Sequence, residues 1–490
     1  MANYTMDEVK IEGSYPVIKI QELSMDIGVN RHGTLIYGGL VTAKEGLEYV
    51  KKQAAKEIVN VYIRDELEFC GYVNDISVSF SNADSDTDSE NNHCYLKVTL
   101  VTSSQLIDLE KHRHRRFFQD TLRTYEDILK EAYEDSGIGN LVAARGKEAI
   151  KAPILQYRET DWQFTLRMAG RLSTVIIPDV ISKEPQILLG IPKRQEVKET
   201  NRESYFIGSK HYEMRSQNRY RLGDSVDVDG RTLTVMKKSF TYERGLIEEI
   251  YIFGHEHDFA MKFYNNENIT GIELEGTVLN RGGQQLELLL DIDAGRKEYD
   301  KTWFSYAPLT NNGMYSMPLV GEKVMLKWQS DDDHDILVVR PVRQNSESMP
   351  NTAERHFLTE HENHMMMVPG KIEFKNPGNS IKLLESIGFD LQTSKDVSIT
   401  AGQNVVIRSQ SQVEINALSR ITVAKPQSST LDMVGNEIHI AAKDGVTTNS
   451  KADTFKEAKL PERLPNIGSN LIRASKLGAA VPVVLNPRVR

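Results

Sequence analysis

The densest set of side chains able to ligate a metal lies just past residue 354, where His356, His361 and His364 precede Met365, Met366 and Met367. Imidazole and thioether are borderline or soft donors, suited to transition metals. Spacings of five and three match no catalytic zinc pattern, and the chain contains no HExxH. The three histidines stand as the only metal candidates, beside the simpler reading of a packed neck whose methionines turn inward. Two acidic runs follow. Asp84–Glu90 (DSDTDSE) lacks the glycine and ligand spacing of a calcium loop and reads as a solvated loop. Asp331–Asp335 (DDDHD) shares its neighbourhood with Trp303, Phe304, Tyr306 and Trp328. Bases or sugars could stack on such rings, but the acids would repel a phosphate backbone. The basic run Lys111–Arg116 (KHRHRR) could meet an anionic surface. On a helix it reads instead as a solvated face, or as a contact to acidic neighbours in an assembly.

Recognised catalytic frameworks are missing. No GxSxG elbow, Walker loop or dinucleotide fingerprint occurs in a credible context. A glycosidase needs two facing carboxylates, yet Glu385, Asp390, Asp396 and Glu414 take varying positions in the repeat that contains them and form no ledge. The expectation is a protein without enzyme activity, cofactor or resident metal. A net charge of −9 over 490 residues argues against nucleic acid as a partner. Two cysteines, Cys70 and Cys94, imply no disulfide framework. The opening MANYTMDEVKIEGSYP has no apolar signal core. No run approaches the roughly 20 apolar residues of a membrane span. A chain made and assembled in the cytoplasm is expected.

The elements that carry these residues fall into a clear order. Between Ile381 and Ile440 an apolar pair at i and i+2 recurs every eight residues: Ile381/Leu383, Phe389/Leu391, Val397/Ile399, Val405/Ile407, Val413/Ile415 and Ile421/Val423. The register slips near Pro426 and resumes as Leu431/Met433 and Ile438/Ile440. Side chains alternate along a strand, so each pair marks one face of a short strand. A repeat of this kind buries its face only by stacking on neighbours. Each octad offers one strand and no covering layer, and the simplest supplier is another copy of the chain. The sixteen residues are therefore expected to form the core of a homo-oligomeric β-rod.

Upstream, residues 1–265 read as a β/α region of two barrel-like subdomains. Its predicted strands include Ile58–Ile63, Gly71–Phe80, Tyr95–Val101, Leu233–Phe240 and Leu246–Phe253, with helices at Ala43–Lys56 and Asp161–Leu172 and a helical segment over 104–150. Residues 270–345 hold five short strands and resemble an OB-type barrel, with Gly282-Gly283 in a hairpin turn. A neck (346–378), the octad β-prism (379–442) and a basic tail (443–490) complete the chain. From Gly445 onward eight Lys or Arg face three Asp or Glu, which suits an adaptor that orders on a partner, or a frayed end. The fold class is mainly β, with an α+β N-terminal region.

The order of region, barrel (with Pro318-Leu319-Val320-Gly321-Glu322-Lys323-Val324), neck and octad rod resembles the VgrG and tail-spike proteins of contractile injection systems. Arg116-Phe117-Phe118-Gln119-Asp120, Thr124-Tyr125-Glu126-Asp127-Ile128 and YRETDWQFTLR from Tyr157 to Arg167 are similar to the late-control-D hub of phage tails, and ERHFLTEHENHMMMVPGKIE from Glu354 to Glu373 to the spike neck. The resemblance covers residues 1 to about 440. It implies a homotrimer, with inner-tube and baseplate proteins behind the hub and a PAAR-type tip protein or separate effector at the C-terminal end. A target-cell envelope would be pierced on sheath contraction, the particle reaching the extracellular space or the target cell. Two departures stand out: no lysozyme-like insertion precedes the rod, and the tail is too short for a fused effector. The alternatives are a trimeric β-helical tail spike that degrades surface polysaccharide, and an adhesin whose barrel binds ligand between exposed Trp303 and Trp328.

Overall fold

Alternation of apolar and polar residues, as in Ile58–Ile63 (IVNVYI), favours a strand with one buried face. In the computed structural model that stretch is a strand with Val59, Val61 and Ile63 fully buried. The structure describes residues 5–52, 57–80, 92–216, 218–243, 245–293, 301–307, 316–342, 351, 353–425, 428–444 and 471–474. The acidic run 84–90, Pro426 and the tail beyond residue 444, other than Leu471–Ala474, lie outside the described residues. Two units are distinguished: residues 1–374 with 384–386, and residues 375–383 with 387–490. The protein is mainly β, and among the described residues no helix is long and apolar enough to cross a membrane.

The first unit is built on a twelve-stranded sheet. Its main path runs Val9–Glu12, Ile58–Ile63, Glu66–Ser79, His93–Thr102, Thr34–Thr42, Lys19–Gly28, Arg231–Glu243, Leu246–Gly254, Tyr212–Ser216 and Arg202–Ile207. The early and late strands join where Lys237–Thr241 pairs with Ser24–Gly28. Apolar residues of both halves, such as Leu35, Leu100, Val235 and Phe253, share one core. Helix α1 (Ala43–Lys52) packs against this sheet.

An ion cluster is buried in the same sheet. Glu68 bonds Lys238, and Arg219 also reaches Glu68. Burial works to push the Glu68 carboxyl up, but the cations of Lys238 and Arg219 outweigh it and hold it below the ordinary range. A carboxylate with a depressed folded pKa adds stability above its unfolded value, and that stability is lost as pH falls through the folded one. Glu68→Gln is accordingly expected to lower stability at neutral pH and to flatten the acid limb of the stability curve. Urea unfolding across the acid range measures this, and an acid limb as steep as the parent's would refute it.

A second core holds helices α2 (Tyr125–Ser136) and α3 (Asp161–Arg171) beside a small sheet. Each helix starts where the sequence can satisfy its first N–H groups. Thr124 accepts from the Asp127 N–H, and Thr160 accepts from that of Gln163. Helix α2 stops at Gly137, whose φ of +63° suits glycine.

The helical expectation over 104–150 needs correction. Ser103–Asp108 is a 3-10 turn, His114–Phe118 is a strand, and only Tyr125–Ser136 is α-helical. The run Lys111–Arg116 is thus on no α-helix. Arg116 is buried, bonded to Asp135, Gln156 and Asp161, because the strand partner Ile154–Glu159 and both helices close over it.

The barrel follows. Trp303–Ser305, Gln285–Leu290, Glu273–Gly282, Lys323–Trp328 and Ile336–Val342 lie side by side in that order, and a bridge from Tyr306 to Val338 links the two ends. Five strands closed in this way fit the OB type. The hairpin turn at Gly282-Gly283 has φ +58° at Gly283.

Candidate functional site

The octad residues occupy two kinds of setting, each within the second unit. Ile381 and Leu383 lie on Asn379–Leu384, and Phe389 and Leu391 on Gly388–Thr393. Further on, Arg420–Lys425, Ser429–Val434, Glu437–Ala442 and Leu471–Ala474 form an antiparallel meander. Its register sets Ile421 opposite Met433 and Met433 opposite Ile438. Likewise Val423 faces Leu431, and Leu431 faces Ile440. Directly opposed residues share a face, so these six form one apolar side of the sheet. Arg420, Asp432, Glu437 and His439 take the other side, where Arg420 pairs with Asp432 at 3.5 Å and His439 with Glu437 at 3.1 Å.

Residues 394–419 between these strands differ. They form no strand within the chain. Val397, Ile399, Val405, Ile407, Val413 and Ile415 project with exposures of 53% to 74%. Burying one such side chain is worth about 1.5–3 kcal/mol. Six left in water forgo an amount comparable with the whole net stability of a typical domain, about 5–15 kcal/mol. Backbone with no ladder partner among the described residues is also a template for pairing with another chain.

The neck histidines are only partly brought together. His356 Nδ1 and His364 Nε2 lie 2.8 Å apart, and His356 Nε2 meets Glu354 at 2.9 Å. The hydrogen bond from His356 holds the Glu354 carboxyl below its usual range. His361 stands apart, exposed, 3.6 Å from Glu360. Both ring nitrogens of His356 are thus engaged in hydrogen bonds. Among the described residues no three His, Cys, Asp or Glu are placed to hold a metal ion. Met365 and Met366 are half-buried and Met367 is exposed, so the expected inward packing is not made within one chain.

A joint that sequence reasoning missed ties the barrel to the helices. Arg167 on α3 is fully buried and donates through Nε and Nη2 to both Glu159 oxygens, through Nη1 to Asp333, and through Nη2 to the Leu155 carbonyl. Asp333, from the acidic barrel loop, also accepts from Arg171 and from the Leu155 N–H at 3.0 Å. Burial opposes the Arg167 charge, but the Glu159 and Asp333 carboxylates more than restore it. Burial pushes the Glu159 carboxyl up against the pull of Arg167. The one available signal was an arginine on the apolar stripe of α3, between Phe164 and Met168. Beside the joint, Phe117, Leu155 and Tyr157 enter the barrel core, with Phe117 edge-on to Trp328 at 5.3 Å.

Trp328 is fully buried, whereas Trp303 is 41% exposed. The two therefore line no common stacking groove, contrary to what the adhesin reading requires. Of the rod carboxylates, Asp390 lies 3.7 Å from Lys382, and Glu414 accepts from Asn416.

No protein-family model matches the sequence, and no curated protein matches it. The fold is similar to several solved structures. One is an Escherichia coli type VI secretion system component, itself described as structurally similar to the T4 bacteriophage tail proteins gp27 and gp5. It is 10% identical, with a TM-score of 0.46, over 68% of this chain and 99% of that one. The PdpA–VgrG complex is 9% identical, with a TM-score of 0.48, over 78% and 97%. A 43 kDa tail protein of prophage MuSo2 from Shewanella oneidensis is 10% identical, with a TM-score of 0.39, over 52% and 98%. At these identities the functional reading rests on the chain's own residues.

Proposed function

We propose that the chain is a structural, non-enzymatic subunit that trimerises into the hub and spike of a contractile injection system. In this reading residues 1–265 form the hub on the inner tube, residues 270–345 the connecting barrel, and 346–378 the neck. The octads of 379–442 form a puncturing β-prism, and the tail of 443–490 meets a tip protein or separate effector. Cargo travels with the spike when a sheath contracts. The observation that carries the reading is the unpartnered apolar ladder of residues 394–419, which three copies wound about one axis would bury. The matching order of motifs from Arg116 to Glu373 supports the hub assignment.

The native mass tests this directly. Sedimentation of the full chain is expected to give three times its 55.5 kDa. A stable monomer would sink the proposal.

A further inference from the structure

Two cations that find no counter-charge among the described residues converge on one ring. The strand Ile154–Glu159 pairs with His114–Phe118, and its register shifts between His114 and Arg115. His114 lies opposite Glu159 and Arg115 opposite Tyr157, which leaves Arg158 as the extra residue of a bulge. Arg158 takes φ +53°, in the left-handed region that side chains enter at a cost. A bulge re-aims the side chain it carries. Here it brings the Arg158 guanidinium to 5.5 Å from the centre of the Tyr157 ring, and Arg115 reaches the same ring at 5.1 Å.

Both arginines are exposed, above a buried tyrosine. The acids nearest Arg158 in sequence are already committed, Glu159 to Arg167 and Asp161 to Arg116. Among the described residues neither Arg115 nor Arg158 has an ion pair. Lys111, exposed on the approach to the strand, adds to the positive charge. A contact with Tyr157 alone gives no reason for a strained arginine where glycine would sit at ease.

We infer that Arg115, Tyr157 and Arg158 form a docking point for an acidic polypeptide segment, whose carboxylates the two guanidiniums grip above the ring. Planar guanidinium matches carboxylate two bonds at a time. The patch offers only two guanidiniums side by side, too few to track a run of backbone phosphates, so a short acidic peptide fits better than a nucleic-acid strand. The inference does not rest on the trimeric rod.

The test uses the full-length protein and a fluorescent peptide of alternating glutamate and glycine, followed by anisotropy at low salt. A single-stranded oligothymidylate of equal charge serves as the competing class, and Lys51→Gln as the surface control. The parent and the control are expected to bind the peptide, with Arg115→Gln and Arg158→Gly each weakening it by roughly tenfold or more. Arg158→Gly is expected to leave Tm unchanged or raise it, since glycine relaxes the backbone there. A loss of affinity without a loss of stability separates docking from folding. Absent peptide binding, affinities unchanged by both variants, oligothymidylate binding as tight as the peptide, or a lowered Tm in Arg158→Gly would each overturn the assignment.

Discussion

Asp333→Ala is expected to cost about 3–5 kcal/mol of stability, the usual penalty for removing one partner of a buried ion pair. Asp333 is fully buried and serves three donors: Arg167 at 2.8 Å, Arg171, and the Leu155 N–H. Without it, Arg167 keeps Glu159 but loses its second carboxylate in a site that water does not reach. The Leu155 N–H is orphaned as well. Asp333→Asn retains an acceptor for that N–H while removing the charge, so a smaller loss is expected. Guanidinium unfolding measures both, and a cycle with Arg171→Met separates the pair from the rest of the network. A loss below about 1 kcal/mol for Asp333→Ala, the range of surface ion pairs, would show that the joint is decorative.

The second large effect belongs to the rod. In the proposed trimer, Val405→Asp or Ile407→Asp places three carboxylates near one axis. Each unpaired buried charge costs several kcal/mol, more in sum than a trimer contact can absorb. Sedimentation is expected to show monomers, with the far-UV spectrum of the first unit retained. Arg408→Glu, one residue on and on the opposite strand face, is expected to leave the mass unchanged. A Val405→Asp protein that still sediments as a trimer would remove the octads from the interface.

Much of the fold was legible because alternation is a local signal. IVNVYI reads as a strand and forms one from Ile58 to Ile63, and the Thr160 start of α3 follows from its cap. The barrel strands were readable for the same reason. His114–Phe118 was not, because its consecutive basic and aromatic residues imitate a solvated helix face. What buries Arg116 is supplied by Asp135, Gln156 and Asp161, all distant in sequence. The joint was hidden more completely. Asp333 stands 166 residues from Arg167, inside an acidic run that looks like a surface loop. The octads were legible as a repeat, but the sequence did not distinguish the meander of 420–442, which pairs with itself, from 394–419, which does not.

The barrel is attached by contacts of unlike character, and the difference governs rotation. The plug formed by Phe117 against Trp328 and Phe304 resists separation, but apolar contact is non-directional and does not by itself set an angle. Directional bonds around it do: the Phe117 N–H donates to Asp293, Gln119 donates to the Leu288 carbonyl, and the Thr302 hydroxyl donates to the Gln119 carbonyl. The guanidiniums of Arg167 and Arg171, converging on Asp333 beside that plug, add charged bonds to the same end. The apolar plug works as an axle and the directional bonds as its key. In a three-fold assembly the key would set the angular phase between the barrel and the helices, and part of any torque applied to the barrel would pass into α3 through one carboxylate.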